Sequence, residues 1–273
     1  MAIILLCDNG SSKPQATLQL RNLAAQLSQK VDKSIYPVSL QHANKISADE
    51  LDNTPAMTFT PFLQAMLERG ENEFIVLPLF FGHSKAISKF IPDEVEKLKS
   101  NNNDLSVTVA DVIYPLPDGE QQLTHILAEH INQNYFEDID GTQKAVLVDH
   151  GSPSPKVTEV RQHIAQNIIP MLEQNISLEQ AVMERREGAD YDFNGDLLEN
   201  WLTQQAEKGE TAVIIALMFF LPGRHAGVNG DIDMIIYSVL KKYPDLKIRM
   251  TPLICDHPDF LNILEERLNA VTK

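Results

Sequence analysis

Nine residues near the start of the chain, NGSSKPQAT (Asn9–Thr17), return near its middle as HGSPSPKVT (His150–Thr158). Both fit x-G-S-x-x-P-x-x-T, and position 9 maps onto position 150, an offset of 141. Each copy follows an apolar run that ends in aspartate, at Asp8 and Asp149. A second pair, FIVLPLFFG (Phe74–Gly82) and VIIALMFFL (Val213–Leu221), is offset by 139. Two matched features at nearly equal spacing imply two copies of one structural unit. Whatever architecture one half adopts, the other must adopt as well.

Within each half, apolar runs alternate with amphipathic stretches. The first half predicts strands near 3–8, 35–40, 73–80 and 106–112, and helices near 15–29, 57–69, 92–100 and 119–134. The second predicts strands near 144–149, 178–183, 211–219 and 247–253, and helices near 156–173, 195–208, 230–242 and 258–270. Continuous runs such as AVIIALMFF suit strands covered on both faces, as in parallel sheets. The expected fold is therefore α/β: two duplicated, doubly wound parallel-sheet lobes with a cleft between them. The polar stretch near Asp138–Thr142 divides them into an N-terminal lobe, 1–140, and a C-terminal lobe, 141–273.

The composition narrows the partners. Lys and Arg total 23 against 38 Asp and Glu, a net charge of −15. A field of that sign disfavours nucleic acid and anionic lipid and concentrates cations. The two cysteines, Cys7 and Cys255, lie far apart beside apolar runs and read as buried thiols. With no disulfide pattern, a reducing, cytoplasmic setting is expected. The opening MAIILLCDNG lacks the basic flank and apolar length of a signal segment and reads as a strand. No apolar run approaches the roughly 18–20 residues of a membrane span.

In open α/β sheets, ligands bind beyond the carboxyl ends of the strands. His150 and His225, the latter in PGRHAG (Pro222–Gly227), both fall at such ends in the second half. Two neutral imidazoles on neighbouring loops suit divalent iron, cobalt, nickel or zinc. Glu184, just past the strand that ends in Met183, is a candidate third ligand or proton acceptor. Arg185, Arg186 and Arg224 suit substrate carboxylates, with Ser152 a further candidate contact. Asp190 and Asp192 are weaker candidates, Tyr191 reads as packing, and Asp231 reads as a helix cap. The first half carries Asn9 in place of His150, and its FFGHSKA sets Lys85 against Arg224 and Ala86 against His225. His83 then falls opposite Pro222 and does not restore the pair. Ser11, Lys13, Lys85 and Lys89 remain as possible anion contacts on a half that serves to shape the cleft. His42, His125, His130, His163 and His257 read as structural or exposed, and Trp201 as a helix packing residue.

Together, VDHGS, FFLPGRHAGVNGDI and the duplication resemble the sirohydrochlorin chelatases, the class II tetrapyrrole chelatases of sirohaem and cobalamin biosynthesis. The resemblance covers essentially the whole chain and is nearest to the long, two-repeat cobaltochelatase type. It implies insertion of a divalent metal (Co²⁺, Fe²⁺ or Ni²⁺) into a metal-free tetrapyrrole, the metal being a substrate and no cofactor being permanently bound. Carried over, the metal and catalytic residues are His150 and His225, with Glu184 filling the place of a glutamate found between them in some relatives. Many two-repeat relatives carry the pair in the N-terminal half; here it lies in the C-terminal one. A monomer or a homodimer is compatible with this reading. The rival is a non-catalytic carrier of metal or tetrapyrrole with the same fold. A histidine phosphatase is disfavoured because Asp149 stands where such enzymes place an arginine.

Overall fold

A computed structural model describes residues 2–272. The first apolar run, Ile3–Asp8, forms β1, with five of its six residues buried. A tight turn then leads into helix α1, Pro14–Val31, with proline in its first turn. The second copy repeats this design with β5, Gln143–Asp149, and α5, Pro155–Ile168, again opened by proline. The shared proline of the repeat is thus a helix start, where its missing N–H costs nothing and its fixed φ already suits the helix.

The first half continues with β2 (Ile35–Ser39), α2 (Phe59–Leu67), β3 (Glu73–Pro78), α3 (Ile91–Lys99), β4 (Ser106–Val109) and α4 (Gln121–Gln133). The second continues with β6 (Ile176–Val182), β7 (Asp196–Leu197), α6 (Leu198–Glu207), β8 (Ala212–Leu217), α7 (Asp231–Lys242), β9 (Lys247–Met250) and α8 (Phe260–Val271). The sheets run β2-β1-β3-β4 and β7-β6-β5-β8-β9. Every pairing is parallel, as the uninterrupted apolar strands require. The extra strand β7 is a small difference, since the first half has a single parallel bridge, Ser39 to Thr58, beside its own edge strand. All six residues of β8 are buried. Each valine, isoleucine or leucine side chain removed from water there contributes roughly 1.5–3 kcal/mol.

The repeat extends to individual backbone hydrogen bonds. Leu40 N–H donates to Asp8 O at 2.8 Å and Met183 N–H to Asp149 O at 2.9 Å. Leu79 N–H donates to Cys7 O at 2.7 Å and Met218 N–H to Val148 O at 2.9 Å.

Several expected boundaries move. The predicted helix 156–173 gives way to a 3₁₀ turn at Ile169–Met171, because Pro170 lacks the N–H a continuing helix needs. The helix expected from 195 starts at Leu198, after Gly195 at φ 79° and the edge strand β7. A π-helical turn, Ala86–Phe90, precedes α3 and was not foreseen. Cys7 is buried as expected, whereas Cys255 is only partly so.

The chain divides into two compact units: residues up to Asp118 together with Leu261 onward, and Gly119–Phe260. The division expected at 140/141 falls elsewhere because the last helix of each repeat belongs to the other repeat's unit. In the second unit, α4 buries Leu123, Ile126, Leu127 and Ile131. In the first unit, Glu265 on α8 pairs with Lys30 at 3.2 Å, and Arg267 Nε donates to Val112 O at 2.9 Å. The polar stretch near 138–142 is tied into the second unit, where Gln143 bonds Phe136 N and O and Lys247 pairs with Asp138 at 2.6 Å. Among the described residues, no helix is long and apolar enough to cross a membrane.

Candidate metal centre

The site begins where β5 ends. Gly151 has φ +86°, and a Cβ there would lie 1.9 Å from the carbonyl oxygen of Glu184. Only glycine permits both the turn and that approach. The approach joins two strand ends, since Glu184 N–H donates to His150 O at 3.0 Å. His150 and Glu184 are thereby neighbours by backbone geometry.

Beneath them lies a polar support. Asp149 is 7% exposed and accepts from Gly151 N–H at 3.0 Å and from Arg161 Nη1 at 2.6 Å. Burial pushes its carboxyl up, and the Arg161 guanidinium and the Gly151 N–H oppose that shift. Arg161, only 2% exposed, also donates to Gln180 Oε1 at 3.1 Å and to Asn194 O at 2.6 Å. Asn194 is fully buried, accepts from Ser152 N–H at 3.0 Å and donates to Ser152 O at 2.9 Å. A buried, hydrogen-bonded network of this kind fixes the loop carrying His150.

The other wall is the turn after β8. A Cβ on Gly227 would meet Gly223 O at 2.7 Å, and one on Gly230 would meet His225 O at 2.5 Å. Asp231 N–H donates to Arg224 O at 3.0 Å and Ile232 N–H to His225 O at 3.2 Å. The chain folds back so tightly that the backbones of Arg224, His225 and Asp231 are held side by side.

His150, Glu184 and His225 offer ligand atoms that all lie within 4.8 Å of one another. The two imidazole rings are 4.7 Å apart, centre to centre. His225 Nε2 is 3.8 Å from Glu184 Oε1, while its Nδ1 lies 2.8 Å from Asp231 Oδ2 in a contact poorly aligned for a hydrogen bond. Burial, and then the neighbouring His150, lower the pKa of His225, with Asp231 and Glu184 pulling the other way. A lowered pKa keeps the imidazole neutral and able to donate a lone pair. Two nitrogens and one carboxylate, backed by a second carboxylate behind His225, form a donor set suited to a first-row divalent ion.

The other expected residues divide clearly. Arg224 bridges Glu184 Oε1 and Asp231 Oδ2, at 3.1 Å each. Arg185 is tied to Gly195 O at 2.9 Å and to Asp192, so Asp192 serves that loop. Arg186 is exposed and rests over the ring of Tyr191, 5.6 Å from its centre. Ser152 Oγ accepts from Ser154 N–H at 3.1 Å, and Ser11 Oγ accepts from Lys13 N–H at the same distance. The repeated serine therefore closes a local turn in both units. Lys85 is exposed, and Lys89 pairs with Asp93 at 2.8 Å. Ser11, Lys13, Lys85 and Lys89 belong to the first unit. Trp201 is buried in the core as expected, with its indole N–H on Glu179 at 2.8 Å.

One expectation is corrected. Asp231 does not cap α7; the residue before the helix is Gly230, with no side-chain cap, and Asp231 turns to His225 and Arg224 instead. Sequence reasoning missed Arg161, Asn194 and Gln180 altogether. A faint signal existed for one of them: Arg161 is the lone charge on the buried side of α5.

A CbiX family model matches the chain twice, over residues 3–133 and 144–271. The chain belongs to the CbiX family. The likeness to the sirohydrochlorin chelatases read from the sequence is borne out, as is its two-repeat form. Among solved structures, SirB from Bacillus subtilis with Fe3+ is similar, with TM-score 0.69, 14% identity, and 98% of this chain and 95% of that chain covered. The sirohydrochlorin chelatase SirB of Bacillus subtilis subspecies spizizenii, in complex with cobalt, has TM-score 0.65 and 15% identity, covering 98% and 94% of the two chains. A CbiX described as the terminal enzyme of sirohaem biosynthesis in denitrifying bacteria has TM-score 0.56 and 14% identity over the full length of both. At these identities the structures attest the shared fold. Comparison with curated protein sequences finds no match.

Proposed function

We propose that the chain inserts a divalent metal ion (cobalt, iron or nickel) into a sirohydrochlorin-type tetrapyrrole, serving cobalamin or sirohaem biosynthesis. The observation that carries this reading is the convergence of His150, Glu184 and His225 within 4.8 Å in a CbiX-family chain. The two similar SirB structures hold Fe3+ and cobalt.

His225 supplies Nε2, and the Asp231 carboxylate 2.8 Å from Nδ1 attracts a proton to that far nitrogen by its charge. His150 and the Glu184 carboxylate, both exposed, complete the ligand set on its open side. The macrocycle arrives with two pyrrole N–H groups. As the metal passes to the ring nitrogens, both protons must leave. The Glu184 carboxylate and an imidazole, each relieved of the metal, are the groups placed to accept them. Arg224 and Arg186 serve peripheral carboxylates of the substrate; Arg185, held by Gly195 and Asp192, contributes chiefly by shaping that loop. In this scheme the metal is a substrate and no resident cofactor is needed.

An absorbance time course tests the reading. Sirohydrochlorin is mixed with Co²⁺, Fe²⁺ or Ni²⁺, with protein, without protein, and with the His150→Ala/His225→Ala variant. Metallation faster than the protein-free rate, and lost in the variant, is expected. Metal binding without any acceleration would favour the carrier instead.

A further inference from the structure

Resting on that reading, we propose that Arg224 is a latch: metal entry releases it from Glu184 and turns it into the binding site for a substrate carboxylate. The guanidinium spans two carboxylates, with Nη1 3.1 Å from Glu184 Oε1 and Nε 3.1 Å from Asp231 Oδ2. Those same oxygens face the buried imidazole, Glu184 Oε1 at 3.8 Å from His225 Nε2 and Asp231 Oδ2 at 2.8 Å from Nδ1. Glu184 Oε1 thus has two claimants, the arginine and any ion bound between Glu184 and His225.

A divalent ion wins that competition. It takes the oxygen electrons directly and places two positive charges beside a third. Turning the carboxylate to offer its other oxygen does not remove the repulsion. The arginine leaves easily, because its side chain is 67% exposed and exposed ion pairs are weak. Its backbone stays, since Arg224 O accepts from Asp231 N–H at 3.0 Å. The contact from Nε to Asp231 remains as a hinge. The freed guanidinium edge then faces solvent next to the loaded metal, as a planar fork suited to a carboxylate. The site becomes attractive to a polyanionic ring only after it holds metal. This orders the two substrates and offsets locally the net charge of −15.

Coupling of this kind is reciprocal. It can be read by calorimetric titration of the whole chain with Co²⁺ and with copper uroporphyrin, an octacarboxylate ring whose centre is already filled. Without the ring, Arg224→Gln is expected to bind Co²⁺ up to about fivefold more tightly, the exposed competitor being gone. In the unaltered chain Co²⁺ should strengthen ring binding by at least about fivefold. In Arg224→Gln that gain should shrink below about twofold, and Arg224→Lys, which keeps the charge but not the fork, should fall between. Equal gains in the unaltered chain and Arg224→Gln, or weaker Co²⁺ binding by Arg224→Gln, would overturn the latch and leave the metal centre standing. An unaltered chain that binds no Co²⁺ would overturn the metal centre and the latch with it.

Discussion

At the end of β1, Asp8 is 9% exposed and its Oδ1 has no hydrogen-bond partner among the described residues; at the end of β5, Asp149 is as deeply buried but sits 2.6 Å from Arg161. The backbones around them match. Gly10 and Gly151 have φ +87° and +86°, and a Cβ on either would strike a carbonyl oxygen of the next strand's exit, Gln41 O or Glu184 O. The side chains do not match. Asn9, Gln41 and Ala86 stand where the second unit has His150, Glu184 and His225. Position 161 maps onto Leu20. The neighbouring Arg21 donates to Leu51 O at 3.0 Å and Thr54 O at 2.6 Å, holding its loop from one position further along instead of pairing with Asp8. The repeated scaffold fixes where strand ends meet. A buried arginine and three donor side chains decide whether that meeting point is equipped for a metal.

The largest effect on stability should come from erasing this difference. Arg161→Leu gives the second unit the first unit's residue and strands Asp149 without its ion pair. Breaking a buried pair costs about 3–5 kcal/mol, so a large fall in the urea midpoint is expected. A loss under about 1 kcal/mol would show that Asp149 needs no partner.

A smaller effect, of opposite sign, belongs to the first unit. Burial raises the pKa of Asp8 from 3.8 to about 6, against hydrogen bonds from Ser39 and Gly10 that lower it. Between those values the folded chain holds a proton that the unfolded chain has lost. Stability therefore falls as pH rises from about 4 to 6, and the full cost persists above that window. Asp8→Asn should raise stability at pH 8 by about 1–3 kcal/mol and flatten that slope. Asp149→Asn should destabilise instead, because the buried Arg161 guanidinium loses its counter-ion, a loss that outweighs the relief of Asp149's own burial. Urea titrations at pH 5 and pH 8 separate the two, and matching responses would dissolve the contrast.

Much of this was legible in the sequence because it repeats. The offsets of the signature and of the Phe-Phe strands gave the two parallel sheets, and strand ends gave His150, His225 and Glu184. Three things were not legible. The assignment of α4 and α8 to opposite units depends on tertiary packing, which local periodicity does not encode. Arg161 and Asn194 act through contacts 12 to 42 residues away in sequence, from positions that look like ordinary helix and loop. Asp231 occupies a spot where an acidic residue would normally cap a helix, and only the fold-back at Gly227 and Gly230 turns it toward His225.

The most direct test of the central claim is a Co²⁺ titration followed by visible absorption, comparing the unaltered chain, His150→Ala/His225→Ala and Asn9→His. One ion per chain is expected in the unaltered protein, with nitrogen-ligated cobalt bands. Binding should fall in the double variant by more than the roughly 10–100-fold that losing a residue behind a ligand costs. Asn9→His should gain nothing, since Ala86 supplies no second imidazole. Undiminished Co²⁺ binding by the double variant would contradict the account and place the metal elsewhere in the chain.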